Sequence, residues 1–290
     1  VKAAASVLYD VPGPRARARN RIFTVLTVVL FAAAFGWVIW KFAAADQFTA
    51  AKWEPFLTGD LWITYVLPGI KGTLTAAAAS IVLALVLGCL LGVGRLSPIS
   101  AVSWACATFV EFFRAVPVLI MMLFSYALFA FYDMFPSEYL ALAGVITGLT
   151  LYNSAVIAEI VRTGVHALPR GQAEAASALG MTWRQTMGSI QLPQAITSML
   201  PVLVSQMVVV LKDTAIGYQI TFLEMVRQGQ SIGSAYGNYI PALIVIAALM
   251  IALNFALSSA ANRLEARLRR SKKGPEPLAA RPVVQDGPAV

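Results

Sequence analysis

Apolar and polar positions fall along this chain in long blocks rather than in short alternations. Six stretches, 22–40, 72–94, 115–132, 139–158, 185–211 and 228–262, are apolar and carry no charged residue. Crossing a bilayer as a helix takes about 20 residues. A spanning segment must satisfy its own backbone hydrogen bonds, and none of the six shows the two-residue alternation of a barrel strand, so each is predicted to be a helix. The last two stretches exceed one span, which places their helices near 195–215 and 239–262. The expected fold is therefore all-α and polytopic, with six transmembrane helices.

One segment breaks the pattern. Gln172 to Pro193 is polar and helical in character between apolar neighbours. Pro169 lies early in its helix, where a residue without an amide hydrogen is tolerated. Glu174 is expected near the positive helix end. Ala175, Ala176 and Ala178 favour a helix with almost no side chain, and Gly180 can end it in a left-handed conformation. Such a helix is a smooth knob that fits a groove on a partner.

Composition agrees with the blocks. Hydrophobic residues make up 59% of the 290 and charged residues 12%, against about 25% charged in soluble domains. The net charge of +8 is a topology signal. Only Lys41, Lys52, Lys71, Lys212 and Arg227 fall on one side of the predicted spans, and every other lysine and arginine falls on the other. Basic residues collect on the cytoplasmic side, so both termini and the 162–193 insert are expected there. The first span admits a second reading as a signal peptide, with Ala43-Ala44-Ala45 as the cleavage site. Its apolar run exceeds the usual ~7–15 residues, which favours a retained helix. Segment 46–70 then reads as an outside loop with Trp53, Phe56, Trp62 and Tyr65 at the bilayer interface. The expected divisions are a tail at 1–21, the first helix and loop at 22–67, a membrane core at 68–262 and a basic, disordered tail at 263–290.

Two helices carry small residues every fourth position: Ala76, Ser80, Ala84, Gly88 and Gly92 in one, Gly144 and Gly148 in another. Such stripes let helix backbones approach closely, within the chain or across an interface between two chains. Cys89 and Cys106 sit in apolar surroundings, without the spacing of a disulfide framework or a zinc site. The single histidine, His166, excludes a histidine-based metal cluster, and no Gly-Lys dipeptide occurs, so there is no P-loop. These absences speak against an intramembrane enzyme. Ionisable and polar residues near spans are costly and mark candidate solute paths. Glu111 and Arg114 are three apart and could pair. Glu159 and Arg162 repeat the spacing after the polar trio Tyr152, Asn153 and Ser154. Lys212, Asp213 and Thr214 follow the fifth apolar run, with Gln206 before them. Together these supply both signs of charge for a zwitterionic solute.

Residues 172–190 also have some helix-turn-helix character, with Gly180 in the turn. That would suit a membrane-anchored DNA-binding or signalling protein, but Arg184 alone is too little charge for phosphate neutralisation.

Glu174-Ala175-Ala176, Gly180, nine further residues, then Ile190-Gln191-Leu192-Pro193 resembles the EAA motif of ABC importer permeases, EAA-x3-G-x9-I-x-LP. Glu111-Phe112-Phe113-Arg114-Ala115-Val116-Pro117 is similar to the EFFRGTP signature of the polar amino-acid subfamily, departing at Ala115 and Val116. Lys71-Gly72-Thr73-Leu74-Thr75, Ala158-Glu159-Ile160-Val161-Arg162 and Leu211-Lys212-Asp213-Thr214 resemble further signatures of that subfamily. Val7-Leu8-Tyr9-Asp10 and the basic tail look most like glutamate-type permeases. The resemblance covers about 68–262 and implies a five-helix permease core with one added N-terminal helix. It implies that Glu174, Ala175, Ala176, Gly180, Ile190, Leu192 and Pro193 couple the chain to a cytoplasmic pair of ATP-binding subunits. ATP-Mg is then held by those partners and this chain needs no cofactor. A second permease subunit and an extracytoplasmic amino-acid-binding protein complete the implied assembly, and the basic tail can touch anionic lipid.

Overall fold

A computed structural model describes residues 13–271. Residues 1–12 and 272–290, with the Val7–Asp10 stretch and most of the expected basic tail, lie outside the described residues. Among those described every regular element is helical. Among the described residues, five helices are long and apolar enough to cross a bilayer alone, and one bent pair is long and apolar enough to supply a sixth crossing.

The first helix, α1 (Pro14–Ala44), buries none of its residues. Apolar side chains such as Ile22, Phe31 and Trp40 stand exposed around it, the pattern of a helix whose surroundings are as apolar as itself. Two short helical turns, Ala50–Trp53 and Glu54–Leu57, lead to α2 (Gly59–Arg95). The expected outside loop is thus shorter than 46–70. Residues from Gly59 are already helical because Leu61 and Val66 are fully buried, against Ile232 and Ala242.

The third crossing is broken. A helix α3 (Ser100–Ala115) and a helix α4 (Val118–Phe131) meet at 102°. Pro117 denies Val116 the helical region, and Val116 sits extended at φ −85°, ψ 128°. The second helix of the bent pair therefore starts at Val118, not at Ala115.

The longest close contact is between α2 and α5 (Ser137–His166). Ala76, Ser80 and Ala84 are fully buried. A Cβ on Gly88 would lie 2.7 Å from Ile157, and one on Gly92 2.8 Å from Val161. On the other side of α5, a Cβ on Gly148 would lie 2.6 Å from Met122 of α4. The small-residue stripes are packing surfaces within this chain, where close approach replaces the hydrophobic drive that lipid does not offer.

After α5 come α6 (Arg170–Ala178) and α7 (Trp183–Ile220), helical throughout and longer than the 195–215 expectation. It takes a π-turn at Met187–Gln191 and ends in a 3₁₀ segment, Thr214–Ile220. Then follow α8 (Met225–Tyr236) and α9 (Tyr239–Ser271). The helix α9 continues beyond the expected end at Asn262, into the basic stretch. Ala76, Met122, Val145, Leu149, Val210 and Ile220 form a core shared by α2, α4, α5 and α7.

Candidate functional site

The insert forms a short helix on the Arg95 end of the bundle. Its body is fastened by Ala176, which is 2% exposed, and by a 2.7 Å hydrogen bond from the Gln194 amide to Gln172 Oε1. Gly180 adopts φ +73°. Its N–H donates to Ser177 C=O at 3.0 Å and the Met181 N–H to Ala176 C=O at 3.1 Å, the paired bonds of a Schellman stop. No atom lies within 4 Å of a Cβ built on Gly180, so the backbone twist alone demands glycine. Pro169 stands just before the helix, at its N-cap, and Arg170 opens it. Glu174 consequently lies mid-helix rather than in the first turn, so the expected interaction with the helix's positive end is not made.

Glu174, Ala175, Ala178 and Leu179 are exposed, Leu179 at 81%. Ile190 and Leu192 instead turn partly inward, and Leu192 packs beside Val165, Met187 and Ala195. Pro193 is exposed at the start of the α-helical part of α7. Six of the seven motif residues thus divide into an exposed knob and a set beside the membrane helix, and the seventh, Ala176, is buried and anchors the knob. Thr182 and Gln185 make a reciprocal capping box, so Trp183 onward is the first turn of α7 and continuous with a span. A free recognition helix is not formed, and the helix-turn-helix reading fails.

Near this end three helices meet through an ion network. Arg95 closes α2; its Nη1 lies 2.6 Å from Glu159 Oε2, and its Nη2 lies 3.3 Å from Glu111 Oε1. Arg114 reaches Glu159 at 3.7 Å and Arg162 reaches it at 3.1 Å. Glu159 and Arg162 pair as the spacing predicted. Glu111 and Arg114 do not pair with each other, because each finds a partner on another helix. Arg95, which sequence reasoning counted only as a topology charge, is the most enclosed member, with its side chain 10% exposed. Glu111, Arg114, Glu159 and Tyr152 line a cavity of about 690 Å³ that Met199 and Val202 of α7 complete.

The remaining sequence candidates lie elsewhere. Asn153 is fully buried; its Oδ1 accepts from Gln206 Nε2 at 2.7 Å and its Nδ2 donates to Leu149 C=O at 2.8 Å. These two residues clamp α5 to α7 instead of lining the cavity. Lys212 is exposed, Asp213 half-buried and Thr214 fully buried, with the Thr214 hydroxyl donating to Leu211 C=O at 2.7 Å. None of the three joins the ion network or lines that cavity.

One buried acid was missed. Glu224 has no exposure and caps α8, accepting from the Val226 and Arg227 N–H groups at 2.8 and 2.6 Å. Burial pushes its carboxyl up to about 7, against the pull of those two N–H groups. The signal available was a lone carboxylate between Phe222 and Val226.

Residues 84–270 match the family model described as a binding-protein-dependent transport system inner membrane component. The chain is 54% identical to a glutamate transport system permease protein, GluD, of Corynebacterium glutamicum over 78% of its length and 83% of that protein. It is 36% identical to a probable glutamine ABC transporter permease protein, GlnP, of Bacillus subtilis over 71% of its length and 94% of that protein. Among solved structures it resembles a chain from the crystal structure of an amino acid ABC transporter with histidines. The TM-score there is 0.63 at 30% identity, over 71% of this chain and 94% of that one. Six crossings, the interrupted third span, the Gly180-stopped helix between the fourth and fifth crossings, and these matches agree, and the chain belongs to the inner membrane components of binding-protein-dependent transport systems.

Proposed function

We propose that this chain imports a polar amino acid, glutamate first and glutamine or a related amino acid next, as the permease of an ABC importer working by alternating access. The observation that carries the reading is the exposed α6 knob, stopped by the left-handed Gly180 and bonded to α7 through Gln172 and Gln194. A push on such a knob is delivered to a membrane helix. The names carried by the two relatives supply the substrate class.

In this reading Glu174, Ala175 and Gly180 meet a cytoplasmic ATP-binding subunit, while Ile190, Leu192 and Pro193 pass the movement into α7. ATP-Mg belongs to the partner. A second permease, identical or a sister chain, faces this one, and an extracytoplasmic binding protein delivers the solute. Both termini and α6 face the cytoplasm by the distribution of basic residues. Residues 68–262 form the permease core, with 1–21, 22–67 and 263–290 as appended parts.

The solute path runs past the 690 Å³ cavity, with Glu111, Arg114, Glu159 and Arg162 at its inner mouth. Lys212, Asp213 and Thr214 stand at the other end of α7, and Asn153 and Gln206 set the spacing between α5 and α7. Proteoliposomes holding the whole assembly test this. Gly180→Trp and Glu174→Lys should each abolish solute-stimulated ATP hydrolysis while the assembly stays in the membrane. Uptake of labelled glutamate should be competed by glutamate and glutamine and not by arginine. Normal coupled uptake by both variants would overturn the coupling assignment, and failure to take up labelled glutamate, or its competition by arginine, would overturn the substrate.

A further inference from the structure

A second cavity, of about 660 Å³, lies at the end of the bundle opposite the ion network, on the face that the proposed orientation turns outward. Its volume falls within the range of small-molecule sites, about 300–1,000 Å³. Lys71 on α2 and Glu138 in the first turn of α5 line it together. Among the described residues neither makes an ion pair. At the Arg95 end, by contrast, both cavity carboxylates are held by arginines. Tyr126, Tyr139 and Thr75 add ring faces and hydroxyl groups to the wall.

Thr221 also lines the cavity, in a left-handed conformation at φ 62°. A β-branched residue takes that conformation only where its surroundings impose it. Here the Leu223 carbonyl packs directly onto Gly72, and the Met225 N–H donates to Thr73 Oγ1 at 3.2 Å. The wall of the cavity is therefore held in a fixed shape against α2 and does not depend on the charged pair to form.

We propose that this cavity is an outer binding site for a free zwitterionic amino acid, with Lys71 taking the α-carboxylate and Glu138 the α-ammonium. The inference rests on the importer reading and gives the solute a station before the inner path. Two charge-assisted contacts at a half-open, hydrated site give weak binding, with a Kd on the order of 1 mM. Weak binding suits a station that must release its occupant inward.

The test uses the full assembly in lipid nanodiscs, without binding protein or ATP, and a Tyr139→Trp reporter read as the difference from the parent. L-Glutamate and L-glutamine should each shift the reporter's emission, whereas glutarate, which lacks the ammonium, should not. Lys71→Gln or Glu138→Gln should weaken binding at least about tenfold. The swapped pair Lys71→Glu with Glu138→Lys should restore it, since a zwitterion can bind reversed.

A silent reporter up to about 30 mM amino acid, where a millimolar site is saturated, in an assembly that still takes up amino acid with ATP, would overturn the site and leave the importer reading standing. So would a shift that neither single substitution changes. Binding that depends on Lys71 and Glu138, in an assembly that transports nothing, would support the site and sink the importer reading.

Discussion

Arg95 Nη1 meets Glu159 Oε2 at 2.6 Å, tying the last turn of α2 to α5, and Glu159 faces the guanidinium groups of Arg114 and Arg162 as well. One carboxylate thus balances three cations from three helices. Exposed ion pairs contribute about 0–1 kcal/mol, whereas removing one partner of a buried pair costs about 3–5. With side-chain exposures of 10% for Arg95 and 24% for Glu159, the expected loss for Glu159→Gln lies between these, about 2 kcal/mol. Thermal unfolding of the detergent-purified protein measures it. Combining it with Arg95→Gln should cost less than the sum of the two single losses.

Gly180 is needed for its φ of +73° and not for space. Gly180→Ala should therefore cost about 1 kcal/mol in the α6 turn and lower coupled uptake without removing the protein from the membrane. Gly180→Asn, which tolerates the left-handed region better, should retain more activity than the alanine variant. Equal activity for alanine, asparagine and glycine would show that the turn is free to change.

Asn153 and Gln206 satisfy one another across α5 and α7 at 2.7 Å. Asn153→Leu strands the Gln206 amide among apolar neighbours, at an expected cost of about 1–2 kcal/mol. Replacing both by leucine should recover part of the loss. A denaturant double-mutant cycle reads the coupling, and strictly additive losses would rule the contact out.

Glu224 has a folded-state pKa raised from 4.5 to about 7 by burial. A raised pKa means that the folded state holds the proton more tightly than the unfolded one. The stabilisation is complete below pH 4.5 and is lost as pH rises through about 7. Its size is on the order of 3 kcal/mol. Unfolding midpoints of the wild type should fall across that window, and Glu224→Gln should flatten the fall. An unchanged pH profile in the variant would assign the dependence to another group.

What the sequence made legible was local. The apolar runs placed the crossings, but the third is one unbroken run over 115–132, and its bend at Val116-Pro117 was not legible. The spacing from Glu174 to Pro193 exposed the knob because a helix stop needs only Gly180 and its neighbours. Choices between distant partners were not legible. Glu111 and Arg114 sit one helical turn apart, yet each is drawn to another helix, since a cation at the end of α2 and a carboxylate on α5 are brought closer by packing. The burial of Glu224 has the same origin: its cap is local, but the turn that carries it is pressed onto α2, where Thr73 accepts from the Met225 N–H 152 residues away.

The bareness of α1 carries an evolutionary consequence. A helix that buries none of its residues places almost no constraint on its own side chains beyond apolar character and length. Mutational tolerance should therefore change sharply along the chain. Substitution among apolar residues between Val25 and Trp40 should be nearly neutral, while Gly88, Gly92 and Gly148, each pressed against a neighbouring helix, should accept almost nothing. A deep substitution scan scored by uptake would then show α1 diverging freely while α2 and α5 must change together.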